Sequence, residues 1–179
     1  ELALLRAEGD HRRAWTTAHN LALAELALGR VDEALALMRP VADEIRAHGL
    51  ARRCWQQMAM LAMVLVEAGE ADAPEIPEAV ALMQVAGALG WMPCHLAEWL
   101  AQGGRRDDAA RLAGWAERRY AERGEAPSAQ GEAARSRLQA LLDHALAPPR
   151  QQALREEGAR LSDEAAAWLL REAPQPGAR

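Results

Sequence analysis

The chain has 179 residues, enough to bury a core of its own, and carries a net charge of −5 from 21 basic and 26 acidic side chains. Every basic side chain is Arg and none is Lys. No stripe of basic and aromatic residues appears, which argues against direct binding of nucleic acid. Half of the residues are apolar but only 4% are aromatic, with no Phe. The apolar material is mostly Ala and Leu, β-branched residues are sparse, and no stretch alternates long enough to suggest a sheet. The expected fold class is all-α.

Helix boundaries read off the punctuation. Residues 15–28 place Ala18, Leu21, Ala22, Ala24 and Leu28 on one face and stop at Gly29, where a Gly accepts the left-handed cap. A second helix begins in Val31-Asp32-Glu33-Ala34, with acids in its first turn, and runs through Leu35, Met38, Val41 and Ile45 to Gly49. The pattern returns: 54–68 ends at Gly69, 77–89 ends at Gly90 with Pro77 in its first turn, 93–102 ends at Gly103-Gly104, and 107–123 ends at Gly124. The longest apolar run, residues 58–66, is far shorter than the ~20 residues of a membrane span, and no signal peptide is expected from the opening residues. The chain starts inside a helical pattern without a Met, so an upstream part is expected. Cys54 and Cys94 form no paired pattern, which fits a reducing cytoplasm.

Turn glycines at 29, 69 and 104 imply an internal period of 35–40 residues, the spacing of stacked helix pairs. Residues 1–124 therefore read as helical repeats. Beyond Gly124, Ala126-Pro127-Ser128 and Pro148-Pro149 bracket a helix over 130–146. A short helix over 150–157 and a last one over 165–171, capped by Ser162, complete a C-terminal capping segment, 125–173. Residues 174–179 read as a flexible tail.

The hairpins resemble tetratricopeptide-type repeats. Ala18, Leu21, Ala22, Gly29, Asp32-Glu33-Ala34, Met38 and Val41 hold that repeat's small and apolar positions, as do Leu96, Ala97, Gly104 and Asp107-Asp108-Ala109. The middle unit departs, because residues 70–76 add length before its second helix. Toward the C-terminus, Ala110-Arg111-Leu112-Ala113-Gly114-Trp115-Ala116-Glu117 resembles an "ARLLGAAE" helix. Glu157-Gly158-Ala159-Arg160-Leu161-Ser162-Asp163-Glu164-Ala165 resembles an "EGRALSLEEA" ending. Both belong to the large ATP-dependent bacterial transcriptional regulators related to the maltose activator, with winged-helix or LuxR-type DNA-binding parts, and a similar ending occurs in cyclase-linked ATPase–repeat proteins. Residues 150–155 are polar where that family keeps an apolar, Trp-containing helix. The resemblance implies a sensor region that follows a DNA-binding domain and an ATPase in the same chain. It also implies an effector or protein partner, and no nucleic-acid or membrane contact of its own.

A phosphate-binding loop (GxxxxGK[ST]) requires a Lys and is excluded, no metal-ligand spacing occurs, and no cofactor is expected. Cys94-His95 is the one nucleophile–base neighbour pair, but adjacent helical residues do not face each other. His95 and Glu98, at i,i+3, are expected to bond locally. The six Trp are expected to be mostly core. In tetratricopeptide-like stacks the first helix of each pair lines a concave groove. Carrying that over selects His19, Gln56, Met63, Glu67, Trp91, Cys94, Glu98 and Gln102 as a ligand or partner surface, along with Thr16 and Leu23. The alternative to the regulator reading is a freestanding helical-repeat scaffold for a partner protein; a small helical enzyme ranks third.

Overall fold

The computed structural model describes residues 2–171, and the expected tail at 174–179 lies outside them. The chain is all-helical. The α-helices are Leu2–Ala7 (α1), His11–Ala27 (α2), Val31–Ala47 (α3), Trp55–Glu67 (α4), Glu75–Val85 (α5), Pro93–Gln102 (α6), Arg106–Arg123 (α7), Ala129–Ala145 (α8), Pro148–Gly158 (α9) and Asp163–Arg171 (α10). A 3-10 turn, Leu89–Trp91, precedes α6. No helix among the described residues is long and apolar enough to cross a membrane.

The expected stops recur in one geometry. After α2, Gly29 takes φ +73° and donates to the Leu26 carbonyl, while the next amide, of Arg30, reaches back to Glu25. Together the two bonds satisfy carbonyls that the helix end leaves open. Leu50, Glu70, Ala88, Arg105 and Glu125 repeat the longer bond to Ile45, Leu65, Met83, Leu100 and Tyr120. One stop falls elsewhere than expected. α5 ends at Val85, not Leu89, because the left-handed glycine is Gly87 (φ +65°) rather than Gly90. α2 begins at His11, four residues earlier than expected, where the Asp10 side chain accepts from the Arg13 amide at 3.2 Å. Ser162 caps α10 as expected, its hydroxyl accepting from the Ala165 amide at 3.1 Å.

Consecutive helices pack against each other: α2 on α3, α3 on α4, α4 on α5, and α6 on α7. α8 then packs on α6 and also reaches α2, while α9 packs on α7, so packing runs on across residue 124. α4 and α6 are the most deeply buried helices. Residues 58–66 and 93–101 are buried without a break, and this is why the longest apolar run lies here. Trp15, Trp99 and Trp115 are core, each donating its indole N–H, to Glu44 Oε2, the Ala71 carbonyl and Asp163 Oδ1 at 2.8, 2.9 and 3.0 Å. Trp168 departs from that expectation and is 53% exposed.

Candidate functional site: a buried ion cluster beside an open cleft

Helical spacing puts His95, Glu98 and Gln102 on one stripe of α6, facing the end of α4 and the middle of α8. Glu98 is 1% exposed. An isolated carboxylate at that depth is costly, and here Arg137 from α8 answers it through two bonds: Nε to Oε1 at 2.7 Å and Nη2 to Oε2 at 3.0 Å. Burial lifts the Glu98 carboxyl above its ordinary range, opposed by the bond and charge of Arg137. Arg137 also approaches Glu67 at 3.7 Å, and Glu67 Oε1 lies 3.1 Å from His95 Nε2. His95 thus engages Glu67, and the local His95–Glu98 bond expected from the sequence does not form. Gln102 donates to the Val66 carbonyl at 3.0 Å and to Glu98 at 3.3 Å. Two buried atoms of the cluster, His95 Nδ1 and Gln102 Oε1, have no partner among the described residues.

A second grouping lies at the opposite end of α4. The Trp91 ring sits 6.0 Å from that of Trp55, edge-on, and 6.1 Å from that of His19. Thr16, Asn20, Gln56 and Gln57 complete a shallow recess around Trp91 and His19. Burial lowers the His19 pKa, which favours the neutral ring. Trp91 and His19 are half-buried and Gln56 is exposed.

The third feature is a cleft of about 390 Å³ between α6, α7, α8 and the connection at 124–128. Ala113, Ala116 and Leu138 give it an apolar lining, with Cys94 and Tyr120 as its inner polar groups. The Cys94 thiol and the Tyr120 hydroxyl both border it, and burial raises the pKa of each. Burial thus disfavours the Cys94 thiolate. Among the described residues no three His, Cys, Asp or Glu side chains converge as metal ligands would.

The expected surface thus separates into distinct places. His19, Gln56 and Trp91 share the aromatic recess; Glu67, Glu98 and Gln102 share the ion cluster; Cys94 faces the cleft. Met63, Cys94 and Glu98 are buried, at 6%, 5% and 1% exposure, where an empty groove would leave them wet: α8 lies over the α6 pair, and Met63 is within the buried run of α4. Arg137 and Tyr120 were not anticipated. Each reaches the site from a helix distant in sequence, and a local pattern carries no such signal.

The described residues thus form an all-helical chain with a largely buried ion cluster beside an open apolar cleft, and fold alone assigns it no function. Comparison with protein-family models, curated proteins and solved structures returns no match.

Proposed function

We propose that this chain is a non-catalytic sensor and protein-interaction module, a tetratricopeptide-like solenoid of stacked hairpins. It serves as the effector-responsive region of a cytoplasmic bacterial transcriptional regulator of the maltose-activator-related kind. One observation carries the reading: α8 lines the effector-sized cleft with Leu138 and, from the adjacent residue, sends Arg137 into the ion cluster of α4 and α6. A ligand in the cleft bears on the helix whose ionic clasp fixes the packing of the preceding hairpins. Binding can then change how these helices present themselves to an ATPase upstream, provided the ligand favours one arrangement over the other. The raised thiol of Cys94, and a His95 turned toward Glu67 instead, support a binding role over catalysis.

Sequencing the coding region upstream of Glu1 tests the proposal. A phosphate-binding loop followed by this segment, with a DNA-binding domain in the same chain, is the expected result. An upstream region with neither would retire the regulator reading in favour of a freestanding scaffold.

A further inference from the structure

We infer that the cleft between α6, α7 and α8 is a binding site for a neutral, mostly apolar molecule of one or two rings carrying a single hydrogen-bonding group. The inference names the ligand class for the effector reading above and rests on it.

Size comes first. About 390 Å³ lies within the range of small-molecule sites and suits a small ring system rather than a folded peptide segment. Charge comes second. Three carboxylates stand at the rim, and each is already met by an arginine: Glu132 by Arg135 at 2.8 Å, Glu125 by Arg123 at 3.8 Å, and Glu117 by Arg155. The rim is therefore balanced and offers no surplus charge to an ion. A charged ligand would have to leave water without a free counter-ion to receive it. The inner groups come third. Tyr120 and Cys94 bring a hydroxyl and a thiol to the lining, each able to donate or accept. A phenol can exchange hydrogen bonds with the Tyr120 hydroxyl, and an indole N–H can donate to it, while the ring covers Ala113, Ala116 and Leu138. Burial keeps both inner groups protonated, consistent with a neutral guest.

Calorimetric titration of the 179-residue chain with phenol, indole, benzylamine and benzoate tests the assignment. The neutral rings should bind saturably, and the two charged rings at least about tenfold more weakly. Tyr120→Phe keeps the shape of the cleft and should weaken phenol binding roughly fivefold. Ala113→Leu fills the cleft and should abolish it; if that variant does not fold, Ala121→Leu, at an exposed position of the cleft lining, replaces it and should weaken binding. Absence of binding by both neutral rings, equal or tighter binding of a charged ring, or neutral binding untouched by these changes would each overturn the inference. The upstream sequence decides the regulator reading independently, so either can fail while the other stands.

Discussion

Gly114 and Gly158 hold the crossing of α7 and α9, and a single methyl group there tests how tightly the C-terminal helices are locked. An added Cβ at Gly114 would lie 2.0 Å from the Arg155 carbonyl oxygen, and one at Gly158 would lie 1.8 Å from the Arg111 carbonyl oxygen. Carbon–oxygen contacts settle near ~3.3 Å, so Gly114→Ala forces the helices apart by roughly 1.3 Å. The opposing atoms are helical backbone, and no rotamer change relieves them. Separation also stretches the pairs that flank the crossing, Arg111–Glu157 at 2.8 Å and Arg150–Asp107 at 2.7 Å. Overpacking of this kind costs about 1–3 kcal/mol, and backbone against backbone belongs at the upper end. Ala returns about 1 kcal/mol of helix propensity inside α7, leaving a net loss of about 2 kcal/mol. For a chain of this size that is a fall in Tm of about 4–8 °C, measured by circular dichroism. Gly158→Ala should behave alike, and the double variant should lose less than the sum, because helices already parted do not clash twice. An exposed mid-helix Gly→Ala change would instead raise Tm. A rise for Gly114→Ala would show that α9 does not pack as described.

Three further outcomes follow from the same contacts. Arg137→Met strands Glu98 and should cost about 2–3 kcal/mol at pH 7, below the usual figure for a buried pair because Arg137 is 37% exposed. Burial already raises the Glu98 pKa, and losing Arg137 raises it further, so the protonated form is the one the fold tolerates; the deficit should fade as pH falls through the raised Glu98 pKa and be largely gone by about pH 4, and urea melts showing equal deficits at pH 4 and 7 would refute this. Trp115→Ala, at a 1% exposed position, should cost about 3–5 kcal/mol, half-buried Trp91→Ala distinctly less, and Trp168→Ala within about 0.5 kcal/mol of nothing; thermal melts that rank them otherwise contradict the packing. The isolated chain should bind neither ATP in calorimetry nor duplex DNA in a gel shift at about 0.15 M salt, and persistent binding of either would count against the sensor assignment.

Helix ends were legible because the signal is local: a Gly in the left-handed region plus an amide reaching back five residues. Where two glycines stand three apart, at 87 and 90, the apolar Leu89 carries the helical pattern past the true stop, and the sequence reading overshoots. The site was legible only in part, for the same reason. Glu98 and Gln102 share a stripe whatever surrounds α6, but their cation comes from Arg137, 39 residues from Glu98. Nothing in the sequence separates that arginine from 20 others. Cys94 illustrates the limit from the other side. Its neighbour His95 invites a dyad, yet the helix turns the two apart: His95 meets Glu67 and Cys94 lines the cleft.

The two segments that carry the resemblance to the ATP-dependent regulators are 40 residues and more apart in sequence, and in the fold they touch. Gly114 lies in the first and Gly158 in the second, and each glycine faces the backbone of the other's helix. Trp115 of the first donates to Asp163 of the second, and Arg118, one residue beyond the first, donates to the Leu161 carbonyl of the second at 2.8 Å. Segments that pack on each other are constrained together, since a side chain at either glycine parts both helices. The proposed kinship therefore has a physical check that needs no assay of function. Homologues sharing both segments should keep Gly at the two crossing positions as a pair. A set of homologues with large residues at one of them, and the ending otherwise intact, would mean that the likeness lies in composition and not in this packing.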